Sequence, residues 1–167
     1  MALGALSALT SRPVRVRAGE QDEPAQAKRS GPAAWLSALS LAGLGRTVGG
    51  RPDWEREATG ATRSWLRMVD EGRHPASWTS ASPLLQKEVG PLEWEEALRA
   101  VRVPLGRCLW RKLQSRSVVE GPSGDRRGPY VVMRFESVFE RRVGAVETIT
   151  LALGPDARWR AAAYFIS

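Results

Sequence analysis

Tyr130-Val131-Val132-Met133-Arg134-Phe135-Glu136-Ser137-Val138-Phe139-Glu140 decides the fold. Its odd positions are Val, Met, Phe, Ser and Phe, while the even ones include Arg134, Glu136 and Glu140. A period of two marks a strand with one buried and one wetter face. After Arg141-Arg142-Val143 a second run carries Ala145, Ile149, Leu151 and Leu153 on one phase. A hairpin closed by that three-residue loop sets Phe139 opposite Ala145, Phe135 opposite Ile149, Met133 opposite Leu151 and Val131 opposite Leu153. Both apolar sets then share a side, which is how a register is specified. Glu147, opposite Ser137, falls on the buried side, and a lone buried carboxylate needs either a raised pKa or a cation.

Upstream, the pattern is helical. Trp54, Ala58, Ala61, Trp65 and Met68 recur at four and three, widened by Leu66 and Val69, and Glu71-Gly72 supplies a stop. His74-Pro75 opens a short turn holding Trp78, and Ser82-Pro83 reads as an N-cap with proline at the first helical position. From Leu92 to about Val103, Trp94, Leu98, Val101 and Leu105 form another stripe, with acids at its start and Arg99 and Arg102 near its end. Arg107–Val119 is read as the first long strand, Gly121–Pro129 as an exposed loop, and Trp159, Ala161, Ala163 and Phe165 as one face of a last strand. Helices followed by a meander give an α+β class: two or three helices packed on a curved four-stranded antiparallel sheet. That is the outline of a cystatin-like or nuclear transport factor 2-like cup, an analogy of fold that carries no function.

The 167 residues divide into an extension over 1–53 and a single domain over 54–167. The extension is rich in Pro, Gly, Ala, Ser and Arg without a sustained period, a composition that argues for disorder. Within it Lys28-Arg29 precede a small and apolar run, Pro32 to Leu44, the shape of an export signal and too short for a membrane span. The run starts well inside the chain, so export requires a start downstream of Met1. A periplasmic or secreted location is expected, with the cytoplasm as the alternative.

Net charge is +7, and 22 of the 25 basic side chains are arginine. No nucleic-acid partner is expected. Arg126-Arg127 and Arg141-Arg142 flank a strand of eleven residues, which at roughly 3.3 Å each sets them about 35 Å apart, and no stacking aromatics lie between. One cysteine (Cys108) and one histidine (His74) exclude a disulfide framework and a multi-histidine metal centre. No cofactor motif is present: there is no phosphate loop and no dinucleotide glycine pattern, and Ser77, Ser80 and Ser82 lack the nucleophile elbow of a hydrolase.

Trp65-Leu66-Arg67-Met68-Val69-Asp70, Ser77-Trp78, Trp94, Arg102-Val103-Pro104-Leu105-Gly106, Arg111, Tyr130-Val131-Val132, Phe139, Glu147-Thr148 and the ending Trp159-Arg160…Tyr164-Phe165-Ile166 occur in one order. Together, over roughly Ala58 to Ser167, they resemble an uncharacterised bacterial family, domain of unknown function 4019. The resemblance implies an N-terminal export signal, which its members often carry, and the family has no established activity to carry over.

Two roles fit Glu147. In the first it pairs with Arg102 or Arg111 and locks a helix to the sheet. In the second it is an acid/base or ligand-orienting group inside the cup, which needs a partner such as Tyr164. That tyrosine reaches it only if the last strand pairs one residue out of the regular phase. Trp65 and Trp94 are read as core, with an aromatic-lined pocket for a small apolar or carbohydrate-like ligand as the alternative. The leading functional reading is a small non-catalytic binding or assembly domain acting outside the cytoplasm, meeting a small apolar ligand or a protein. The others are an isomerase- or dehydratase-like enzyme using Glu147, and a cytoplasmic scaffold whose basic surface meets an acidic partner.

Overall fold

The structure, a computed structural model, describes residues 51–119 and 129–167. The expected export signal lies outside these residues, as does the extension up to residue 50 and all of the expected loop except Pro129.

Helix α1, Pro52–Asp70, has proline in its first turn beside Asp53 and Glu55, which suit the positive end of the helix dipole. It starts two residues before the apolar stripe does, because Pro52 already holds a helical φ. Ala58, Thr62, Trp65, Leu66 and Val69 form its buried face. It ends where Gly72, at φ 70°, takes the left-handed turn and returns its N–H to the Val69 carbonyl at 3.1 Å. The expected turn at His74-Pro75 is a helix of its own, α2, His74–Thr79, since proline at the start of a helix costs no hydrogen bond. Helix α3, Pro83–Glu88, is capped by the Ser82 hydroxyl accepting from the Leu85 N–H. Helix α4, Pro91–Leu105, buries Trp94, Ala97, Leu98, Arg102 and Leu105 and stops at Gly106, φ 78°.

Four antiparallel strands follow in spatial order β1-β2-β3-β4: β1 Cys108–Val119, β2 Tyr130–Phe139, β3 Arg142–Leu153 and β4 Trp159–Ile166. The α+β meander is as expected, and among the described residues four helices precede the sheet, where two or three were expected. One sheet face meets the helices in a core that includes Trp65, Leu66, Leu85, Trp94, Val131, Met133, Ile149, Leu151 and Tyr164. A smaller cluster of Tyr130, Val132, Ala152 and Ala162 lies on the other phase with Val119.

The hairpin register differs from the expected one by two residues. Val131 pairs with Leu151, Met133 with Ile149, Phe135 with Glu147 and Ser137 with Ala145. The turn is two residues, Glu140-Arg141, rather than three, so β3 begins at Arg142, opposite Phe139. The irregularity between Ser137 and Phe139 sets two β3 residues against one, and Gly144 at φ 73° absorbs the extra residue. An even shift preserves the faces. Every odd residue of β2 from Val131 to Phe139 is buried, and so is Glu147.

Strand β4 corrects the expected Trp159–Ala161–Ala163–Phe165 face. Leu151 pairs with Ala161 but Thr150 pairs with Ala163, leaving Ala162 as an extra residue. Beyond it the phase inverts, and Tyr164 pairs with Ile149 and joins the core.

Candidate functional site

Six elements each send one polar side chain to the carboxylate of Glu147 or to its partners: Asp70 from the end of α1, Arg102 from the last turn of α4, Arg111 from β1, Ser137 from β2, Glu147 from β3 and Tyr164 from β4. Glu147 itself is 0% exposed. Its Oε1 accepts from the Tyr164 hydroxyl at 2.5 Å, from Arg111 Nη2 at 3.0 Å and from Arg102 Nη1 at 3.3 Å. Its Oε2 accepts from Arg111 Nε and from the Ser137 hydroxyl, both at 2.5 Å. A carboxylate has about four lone-pair sites, so these five bonds saturate it.

The second carboxylate closes the ring of charge. Asp70 accepts from Arg102 Nη2 at 2.6 Å and from Arg111 Nη1 and Nη2 at 2.9 and 3.1 Å. Two guanidinium groups and two carboxylates sum to zero, which is the condition for keeping four charges in a mostly dry place. Exposure is graded: the Glu147 side chain is 1% exposed, Arg102 8%, Arg111 17% and Asp70 27%. Only the Asp70–Arg111 end meets solvent.

Burial pulls the Arg102 guanidinium down, but the neighbouring Tyr164, Asp70 and Glu147 outweigh it and leave it raised. Arg111 behaves alike: burial is opposed by its bonds to Asp70 and Glu147, and it stays protonated at any working pH. Burial, reinforced by the Glu147 charge, holds the Tyr164 phenol well above its usual range. Glu147 is therefore paired with both arginines of the pairing reading at once, Arg102 and Arg111.

Trp65 and Trp94 build the wall beside this cluster. Trp65 lies 5.8 Å from the Trp94 ring and 5.4 Å, edge-on, from Tyr164, centroid to centroid. Their indole N–H groups are anchored on α2: Trp65 donates to the Ser77 carbonyl at 2.8 Å and Trp94 to the Ser77 hydroxyl at 3.0 Å. Both rings are buried in the core, and neither lines the two grooves described below. Phe139 sits against Arg102, whose guanidinium carbon is 4.7 Å from the ring centre.

The remaining candidates lie outside the cluster. His74 is buried at the start of α2, where desolvation lowers its pKa against the pull of Glu95 and with the push of Arg99 and Arg102. Burial pushes the Cys108 thiol up, away from the thiolate form. Ser77 donates to the His74 carbonyl and Ser82 caps α3. Among the described residues, no group of three His, Cys, Asp or Glu could hold a metal ion.

Two members of the cluster escape a reading from the residues alone, and each leaves a trace. Asp70 is an acid at a helix C-terminus, where the dipole disfavours it, so its place implies a cation elsewhere. Ser137 is the single polar residue on the buried phase of β2.

Among the described residues, two grooves stand out on the surface. One, of about 350 Å³, lies between α1 and β1 beside Asp70 and Arg111. The other, of about 850 Å³, runs between Pro83-Leu84 and the β3–β4 turn at Gly154-Pro155. Neither is lined by Glu147 or Tyr164.

Residues 61–164 match the family described as "Protein of unknown function (DUF4019)". The chain belongs to that family. No curated protein and no solved structure shows a significant match to it. The matched DUF4019 span contains every member of the cluster from Asp70 to Tyr164.

Proposed function

We propose that this DUF4019 chain is a small non-catalytic binding or assembly domain of cystatin-like or nuclear transport factor 2-like outline, acting outside the cytoplasm. The observation that carries the non-catalytic part is the saturation of Glu147 at 0% exposure. A general acid or base needs a free lone pair or proton within reach of substrate. The nearest groove stops at Asp70 and Arg111. Tyr164 is the partner an isomerase-like reading of Glu147 requires, yet it is itself 1% exposed and spends its proton on the carboxylate. The cluster acts as a clasp between the sheet and the two long helices, and it leaves the surface for recognition. The location is supported by Lys28-Arg29 and the apolar run that follows. Among the described residues no helix is long and apolar enough to cross a membrane.

The test is carbodiimide coupling of glycine ethyl ester to the folded protein, read by peptide mass. Glu147 stays unmodified while exposed acids such as Glu71 and Glu93 react; modification of Glu147 in the native state overturns the reading. Mass spectrometry of the N-terminus of protein recovered from its source decides the location: a terminus just beyond residue 44 supports export, and an intact segment 28–44 contradicts it.

A further inference from the structure

We infer that the groove between α1 and β1 is a binding site for a small carboxylate with a short apolar body. Arg63 and Arg67 lie one helical turn apart on α1, both exposed and both lining this groove. Among the described residues neither guanidinium makes a side-chain hydrogen bond or an ion pair, while both backbones stay within the helix. Their situation contrasts with that of Arg102, Arg107, Arg111, Arg116 and Arg160, each of which is paired to an acid. Arg111 also lines the groove, but its donors are spent on Glu147 and Asp70, and Asp70 is neutralised in return. The groove therefore has an uncompensated charge of about two positive units, from Arg63 and Arg67, beside a cluster that sums to zero.

Its apolar side is Leu66, Leu113 and Phe135. Leu66 and Phe135 belong to the core and are only 2% and 6% exposed, so they show the groove their edges and half-buried Leu113 carries most of its apolar surface, which is fixed before a ligand arrives. A volume of about 350 Å³ falls at the lower end of the roughly 300–1,000 Å³ of small-molecule sites. Two guanidinium forks match a carboxylate in geometry and charge, while the leucines and phenylalanine accept an alkyl or aryl body. A bare inorganic anion leaves the apolar side unused, and a neutral lipid leaves both arginines unpaired.

The inference rests on the binding-domain reading above. The experiment is calorimetric titration of the full chain with octanoate, octanol and acetate, repeated on Arg63→Gln/Arg67→Gln. Octanoate saturates one site per chain, at least about tenfold more tightly than octanol or acetate, since a charge-assisted hydrogen bond is worth enough for that factor. The double variant melts at the wild-type temperature and loses octanoate binding by about tenfold or more. Equal binding of acetate or octanol, no saturation by octanoate up to its solubility limit, or unaltered octanoate binding in the double variant overturns the site. Such a failure leaves the non-catalytic reading intact, because that reading falls only if Glu147 is labelled by carbodiimide.

Discussion

Tyr164 and His74 are the residues at which the interior reports on pH. The Tyr164 phenol, buried against the Glu147 carboxylate, has its pKa raised above the ordinary 10.0. A folded state that holds a proton the unfolded chain releases keeps its full stability below pH 10 and loses it as pH climbs beyond that value. Tyr164→Phe should cost about 2 kcal/mol at neutral pH, the worth of a hydrogen bond to a charged group. It should also flatten the alkaline limb of a stability profile followed by circular dichroism; an unaltered limb would contradict the assignment. His74 runs the other way. Desolvation lowers its pKa from 6.5, so the unfolded chain takes up a proton the native state refuses, and stability falls as pH drops below about 6.5. The limit is about 1.4 kcal/mol per pH unit. The lowered carboxyls of Glu140 and Asp156 contribute mainly near and below their ordinary values of 4.5 and 3.8, under the window in which the histidine titrates. Urea midpoints across that window should slope for the wild type and level out for His74→Gln.

At the scale of elements, the extra residue in β4 decides which side chains reach the core. Ala162 inverts the phase so that Tyr164, rather than Phe165, joins the helix-facing core and bonds Glu147. Deleting Ala162 makes the pairing of β3 and β4 regular and keeps Tyr164 opposite Ile149, so the protein should fold with the loss of little more than one buried alanine. Inserting a second alanine after Ala162 turns Tyr164 away from the core and should be far more damaging. Comparable urea midpoints for the two variants would show that the irregularity does not set the phase. This explains what in the sequence was legible and what was not. Alternation along β2 and β3 identifies the buried face and isolates Glu147, because a period of two survives any even shift. The exact partners depend on whether the turn holds two residues or three, and Arg141-Arg142-Val143-Gly144 offers both. Three alanines in succession at 161–163 carry no volume difference to show where the phase inverts. Asp70 leaves only a trace, an acid at the end of a helix that disfavours it, and the folded chain shows that it joins both arginines.

Across the whole molecule, one carboxylate is the point where four strands and the two long helices are held together. A core cluster of eighteen buried residues supplies the bulk of the burial, but apolar contact is non-directional and does not select how α1 and α4 sit on the sheet. The Asp70–Arg102–Glu147–Arg111 ring does, because each guanidinium must reach two acids that lie on different elements. Removing a partner from such a ring leaves a buried charge uncompensated, at about 3–5 kcal/mol. Equilibrium urea denaturation of Glu147→Ala tests this claim most directly. Stability should fall by about 3 kcal/mol or more, with the dependence on urea unchanged; a midpoint equal to that of the wild type would contradict it.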